Sequence, residues 1–147
     1  MIKEATVDEL PKLLHLAEKF YACSNFLDGW NAEVWLRNWT TFIQNGMGVI
    51  FGLFGENEEC YGALGALKVP DLNSGTLIAA ETFWFAEESH RGKGVFLMKE
   101  FEKWAKSNGC KKIAMSYMVD SMPMKVKSIY EKFGYKQAEV SYVKEVY

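Results

Sequence analysis

Ser89-His90-Arg91-Gly92-Lys93-Gly94 is the stretch of this chain best suited to bind an anion. Gly92 and Gly94 carry no Cβ, so the backbone is free to bend sharply and aim consecutive N–H groups at one point. The bend lies between an apolar strand-like run and a long amphipathic pattern, which puts it at the start of a helix. There the unpaired N–H groups and the positive end of the helix dipole favour a phosphate. Arg91 and Lys93 add two formal positive charges. Six residues alone do not separate such a cradle from an ordinary glycine-rich turn with solvated basic side chains.

Glu81 is the second residue with chemical potential. It interrupts Thr76 to Ala86, a run otherwise almost free of charge, and an ionised carboxylate in a dry strand is costly unless it is paired or used. A salt bridge or hydrogen bond to a side chain such as Arg37 is one outcome. A proton-transfer role is the other.

The elements that must position these groups follow from periodicity. Ile2 to Ala5 predicts a short strand. Thr6 with Glu9 fits a capping box, and Asp8 as the cap would place Pro11 in the first turn, where proline is tolerated. Leu10, Leu13, Leu14, Ala17, Phe20 and Tyr21 then share a helical face, with His15 off the stripe as a solvated side chain. A second helix carries Trp35, Trp39, Phe42 and Ile43 on one face as core residues and stops at Gly46. Val49 to Phe54 and Cys60 to Val69 predict a hairpin turning at Glu56-Asn57-Glu58-Glu59, and Thr76 to Ala86 a third strand of the meander.

Past the glycines, a helix buries Leu97, Met98, Phe101, Trp104 and Ala105 and ends at Asn108-Gly109. Lys112 to Met118 predicts a strand, Pro123 to Phe133 a short helix, and Ala138 to Val146 a final strand. The expected order is β-α-α-β-β-β-α-β-α-β. Early antiparallel strands and a later strand-helix-strand crossover predict an α/β (α+β) chain, its mixed, mostly antiparallel sheet flanked by helices on both faces.

Bulk properties narrow the class. At 147 residues the chain suits one domain, residues 1–147, and the apolar fraction of 49% provides a core. An aromatic fraction of 15% is high enough to suggest that rings line a pocket. A net charge of −2 lacks the basic footprint of nucleic-acid binding. Cys23, Cys60 and Cys110 are odd in number and widely spaced, which indicates neither a zinc site nor a disulfide framework. The start of the chain has no charged-then-apolar leader, and no apolar run approaches the ~18 residues of a membrane span. A soluble cytoplasmic protein with no membrane partner and no metal is expected.

Taken together, the strand ending Phe83-Trp84-Phe85-Ala86, the Arg-Gly-Lys-Gly bend and Ile129-Tyr130-Glu131-Lys132-Phe133-Gly134-Tyr135 resemble the GNAT superfamily of N-acetyltransferases. The likeness is strongest from about Glu81 to the C-terminus. It implies acetyl-CoA as co-substrate and an amine acceptor, small molecule or protein, in a monomer or homodimer. The backbone amides of Arg91, Gly92, Lys93, Gly94, Val95 and Phe96 become pyrophosphate ligands. The strand end at Trp84, Phe85 and Ala86 would hold the acetyl oxygen and the pantetheine arm. Tyr130 matches the family tyrosine that returns a proton to the leaving thiolate, and Glu81 resembles a strand glutamate that deprotonates the amine directly or through water.

Phe26, Trp30 and Asp28 fall in the inter-helix segment that borders the acceptor site in that family. Two positions depart from its pattern: Ser89 stands where Gln or Arg is usual, and Phe96 where a small residue is usual. The alternative from another class is a non-catalytic acyl-CoA or phosphate-binding module.

Overall fold

The fold is seen in a computed structural model of the chain, which describes residues 1–24, 29–117 and 123–146. Five strands form one sheet in the order β1-β2-β3-β4-β5: Ile2–Glu4, Gly48–Phe54, Cys60–Pro70, Leu77–Ala86 and Lys112–Ala114. The first four are antiparallel neighbours and β5 runs parallel to β4. The helices are α1 (Leu14–Ala22), α2 (Ala32–Gln44), α3 (Gly94–Ser107) and α4 (Pro123–Lys132).

Alternation along β2 explains why both faces are covered. Val49, Phe51 and Leu53 point into one apolar layer with Leu97, Met98 and Phe101 of α3 and Tyr130 of α4. Ile50 and Phe54 point the other way, into a layer with Leu10, Leu13, Leu16 and Trp39. A strand buried on both sides reads as a continuous apolar run, which is what Val49 to Phe54 is.

Local signals set the helix ends. The Glu9 carboxylate accepts the Thr6 main-chain N–H at 3.0 Å, closing the expected box. Proline then changes the helix type: Pro11 has no N–H for an α-helical bond, and Val7–Leu13 runs as a 3-10 helix before α1 begins. The Asn31 side chain caps α2 by accepting the Val34 N–H at 3.0 Å. Gly46 and Gly109, with φ of +73° and +75°, end α2 and α3 in the left-handed region open to glycine.

Two strand expectations change. The strand expected over Lys112 to Met118 is hydrogen-bonded only from Lys112 to Ala114. Ala138 to Val146 forms no strand: residues 138–146 have no regular structure, and Val140, Tyr142, Val143 and Val146 are exposed. Its alternation is only partly apolar, and the sheet ends in a three-residue β5 that offers little backbone to extend.

Candidate active site

A bulge in β4 decides where the chemistry goes. Ala66 of β3 is opposite Glu81 and Gly65 is opposite Phe83, so Thr82 is an extra residue on β4. Without it, residues 79, 81 and 83 would share a face. With it, Ala79 packs in the α3 layer and Phe83 in the α1 and α2 layer. Glu81 stays on the Ala79 side, and the Thr82 hydroxyl donates to the Gly65 carbonyl at 3.1 Å across the bulge.

The same stretch loses its outer neighbour. β5 pairs with β4 only from Ile78 to Ala80, while β4 continues six residues to Ala86. Every second main-chain amide of that continuation is turned away from β3, and among the described residues no strand pairs with it on that side. This divergence supplies polar backbone at the strand end where Trp84, Phe85 and Ala86 lie.

Ser116, just past β5, joins the two expected catalytic residues. The Tyr130 phenol donates to the Ser116 carbonyl at 2.6 Å, and the Ser116 backbone hydrogen-bonds the Glu81 carboxyl. Glu81 is buried, and desolvation pushes its pKa up to about 8 with the Ser116 bond in partial opposition. No ion pair reaches it among the described residues, and Arg37 is exposed on α2. Tyr130 is pushed well above the usual phenol range, first by burial and then by the charge of Glu81. Its ring stacks beside Trp84 at 6.1 Å and lies 5.7 Å from Tyr135, whose hydroxyl donates to Glu102 at 2.8 Å.

The glycine bend takes a different course from the one expected. Glu88–Lys93 is a 3-10 helix running directly into α3, and neither Gly92 nor Gly94 has a positive φ. The Gly94 N–H donates to the Arg91 carbonyl instead of standing free. What the glycines provide is room: a Cβ on Gly92 would meet nothing within 4 Å, and one on Gly94 would touch Trp84 at 3.6 Å. The Trp84 indole N–H donates to the Gly94 carbonyl at 3.1 Å, tying the end of β4 to the start of α3. Arg91 reaches back to the Ala86 carbonyl at 3.4 Å, and Lys93 is exposed. The Phe96 ring is 49% exposed with the Lys99 ammonium 5.5 Å from its centre, so it points outward and leaves the end of β4 clear. Ser89 bonds His90 at 2.7 Å, and the His90 ring stacks on Tyr61 at 4.1 Å, a packing partner the sequence did not signal.

Of the acceptor-side residues, Phe26 and Asp28 lie outside the described residues. Trp30 is placed: it joins Phe20, Tyr21, Trp35, Trp39 and Phe83 around a cavity of about 270 Å³ on the sheet face opposite Tyr130. Trp35 and Trp39 pack in the core as expected and also form cavity wall. Their helical spacing signalled the first role, and only the fold shows the second.

The family model for the acetyltransferase (GNAT) family matches residues 10–135. The chain belongs to the GNAT acetyltransferase family. Among solved structures, this GNAT protein is similar to an acetyltransferase from Trypanosoma brucei, with a TM-score of 0.76, 17% identity and 99% of each chain covered. A glucosamine-6-phosphate N-acetyltransferase from Arabidopsis thaliana aligns with a TM-score of 0.75 and 16% identity, over 99% of this chain and 97% of the other. An aminoglycoside 6'-N-acetyltransferase from Acinetobacter haemolyticus aligns with a TM-score of 0.73 and 18% identity, over 99% of both. At these identities the likeness concerns the fold, while family membership supports acetyl transfer as the general activity. No curated protein matches the sequence at a significant level. No helix among the described residues is long and apolar enough to cross a membrane.

Proposed function

We propose that this GNAT protein is an acetyl-CoA-dependent N-acetyltransferase that moves the acetyl group to a primary amine by direct attack in a ternary complex. The observation that carries the reading is the meeting of Glu81 and Tyr130 on the Ser116 backbone, beside the divergence of β4 and β5. The amine nitrogen attacks the thioester carbonyl carbon. Unpaired β4 amides near Trp84, Phe85 and Ala86 stabilise the charge developing on the acetyl oxygen, each such donor being worth roughly 3 kcal/mol. The C–S bond then breaks, and the departing thiolate takes a proton from the Tyr130 phenol.

Glu81 receives the amine proton, directly or through water. With a pKa near 8, it is the ionised form of the carboxyl that takes the proton, and that form grows as pH rises toward 8. The two steps reinforce each other. The charge of Glu81 is one cause of the high Tyr130 pKa, so protonating Glu81 makes the phenol a better acid when the thiolate needs it.

For the donor's diphosphate, the residues Arg91 to Phe96 fit through two features: the open space at Gly92 and the outward turn of Phe96. The i to i−3 bonds of Glu88–Lys93 have poorer geometry than α-helical ones, and a phosphate would replace them with charge-assisted bonds. Arg91 and Lys93 add positive charge beside it.

Calorimetry with acetyl-CoA, together with thiol release across a panel of amines, tests the proposal. Binding followed by amine-dependent thiol release is expected. Absence of heat at millimolar acetyl-CoA would overturn it, and binding with no release for any amine would leave a non-catalytic acyl-CoA-binding module.

A further inference from the structure

The aromatic cavity on the α1 and α2 side has no part in holding the donor or in the proton transfers proposed above. Among the described residues eleven line it; seven of these carry aromatic rings, and none of the eleven is charged. Its polar groups are few: the Asn38 amide on an exposed position of α2, the Thr82 hydroxyl, already bonded to Gly65, and the Tyr21 phenol. The rings form a continuous wall, with Trp30 6.4 Å from Trp35, Trp35 6.2 Å from Phe83, and Trp39 edge-on to Phe83 at 5.8 Å.

From this we infer that the cavity takes the non-reacting part of the acceptor, and that the acceptor is a primary amine carried on a short chain from a flat aromatic group. The inference rests on the N-acetyltransferase reading and deepens it. Size agrees: an apolar cavity of about 150 Å³ holds benzene, so about 270 Å³ holds one aromatic ring with a short chain. Charge agrees as well. A polyamine carries several ammonium groups that need carboxylates or water around them, and the described residues of this wall include no carboxylate. Ring faces and edges instead suit offset and edge-on contacts with another ring.

Position completes the case. Thr82 and Phe83 in the cavity wall directly follow Glu81 on β4, beyond the last residue that β5 pairs. A ring seated among Phe20, Trp30 and Phe83 therefore sends its side chain toward the β4 and β5 divergence, where the thioester would lie. The bulge at Thr82 makes this possible by turning Phe83 into the cavity while Glu81 faces the other side.

The test uses the full chain with 2-phenylethylamine and spermidine. In the absence of acetyl-CoA, 2-phenylethylamine should change the intrinsic tryptophan fluorescence saturably, and spermidine should not. With acetyl-CoA, kcat/KM for 2-phenylethylamine should exceed that for spermidine at least tenfold. Trp30→Ala should raise the KM for 2-phenylethylamine about tenfold with the KM for acetyl-CoA unchanged, and Trp30→Phe should restore most of it. A preference for spermidine, or no fluorescence change with the aromatic amine, overturns the inference even where acetyl-CoA binds and turns over. The opposite result, a saturable fluorescence change in a protein that gives no heat with acetyl-CoA, keeps the cavity assignment and removes the transferase reading.

Discussion

The Tyr130 hydroxyl sits 2.6 Å from the carbonyl oxygen of Ser116 and donates to it. That bond fixes the phenol of α4 against the residue that follows β5, so the acid is aimed by the main chain and its direction does not depend on another side chain. Ser116 carried no sequence signal of its own. Its importance comes from its backbone, and any residue type there except proline, which has no N–H, could make the same two hydrogen bonds.

Tyr130→Phe removes the proton and keeps the ring that stacks with Trp84. Turnover should fall at least tenfold with the KM for acetyl-CoA little changed, within the ~10²–10⁴ range typical of general acid help. The melting temperature should drop only slightly, since one hydrogen bond contributes about 1 kcal/mol. Steady-state kinetics and thermal melting check this, and unchanged turnover would remove the assigned role.

Glu81→Gln tests the buried carboxyl in two ways. The folded pKa lies near 8 against an ordinary value of 4.5, so the folded state holds its proton through a range where the unfolded chain has lost it. Stability from this group is full below about pH 4.5, declines as pH rises toward 8, and levels off above. The variant's stability should therefore vary less over that window and exceed the parent's most at its upper end, by on the order of a few kcal/mol, as followed by denaturant melts across pH. Its rate should lose the rise that a base titrating near pH 8 produces. Parallel stability curves for parent and variant would show that Glu81 does not titrate as described.

Trp84→Phe removes the indole N–H that reaches the Gly94 carbonyl at 3.1 Å. The ring still packs, but the end of β4 is no longer tied to the first turn of α3. A loss of about 1 kcal/mol in stability is expected, seen as a fall of roughly 2–4 °C in Tm for a chain of this size. The KM for acetyl-CoA should rise with it, since this contact orders the segment proposed to hold the diphosphate.

Gly65→Ala addresses the bulge. A Cβ at this position would collide with the Phe83 ring and crowd Trp39, two rings of the cavity wall. Overpacking of this kind costs about 1–3 kcal/mol. The substitution should lower Tm and weaken 2-phenylethylamine binding together, while acetyl-CoA binding on the other face stays close to the parent value. Calorimetry with each ligand separates the two.

Much of the fold was legible because its determinants are local. The Thr6 and Glu9 box, the Gly46 end of α2, and the double-sided apolar run of β2 are properties of neighbouring residues, and each stands where its pattern put it. Glu81 announced itself as a lone charge in a strand, and Tyr130 through the motif around it. Where a local pattern needs a partner it does not itself supply, expectation and structure part. Ala138 to Val146 alternates like a strand yet pairs with nothing in the sheet, and Gly92 sits in a 3-10 helix, with Gly94 opening α3, neither in a conformation that requires glycine.

By itself, then, the sequence determined the order of the elements as far as α4, the two-sided core and the family, all encoded in periodicity, capping and short motifs. Tertiary structure alone decided that Ser116 joins Glu81 to Tyr130, that an extra residue at Thr82 parts Glu81 from Phe83, and that rings from α1, α2 and β4 enclose one cavity. The physical reason is distance along the chain: the contacts at Ser116 and at the bulge link residues 14 or more positions apart. They exist only once the sheet register and its bulge have set which side chains share a face.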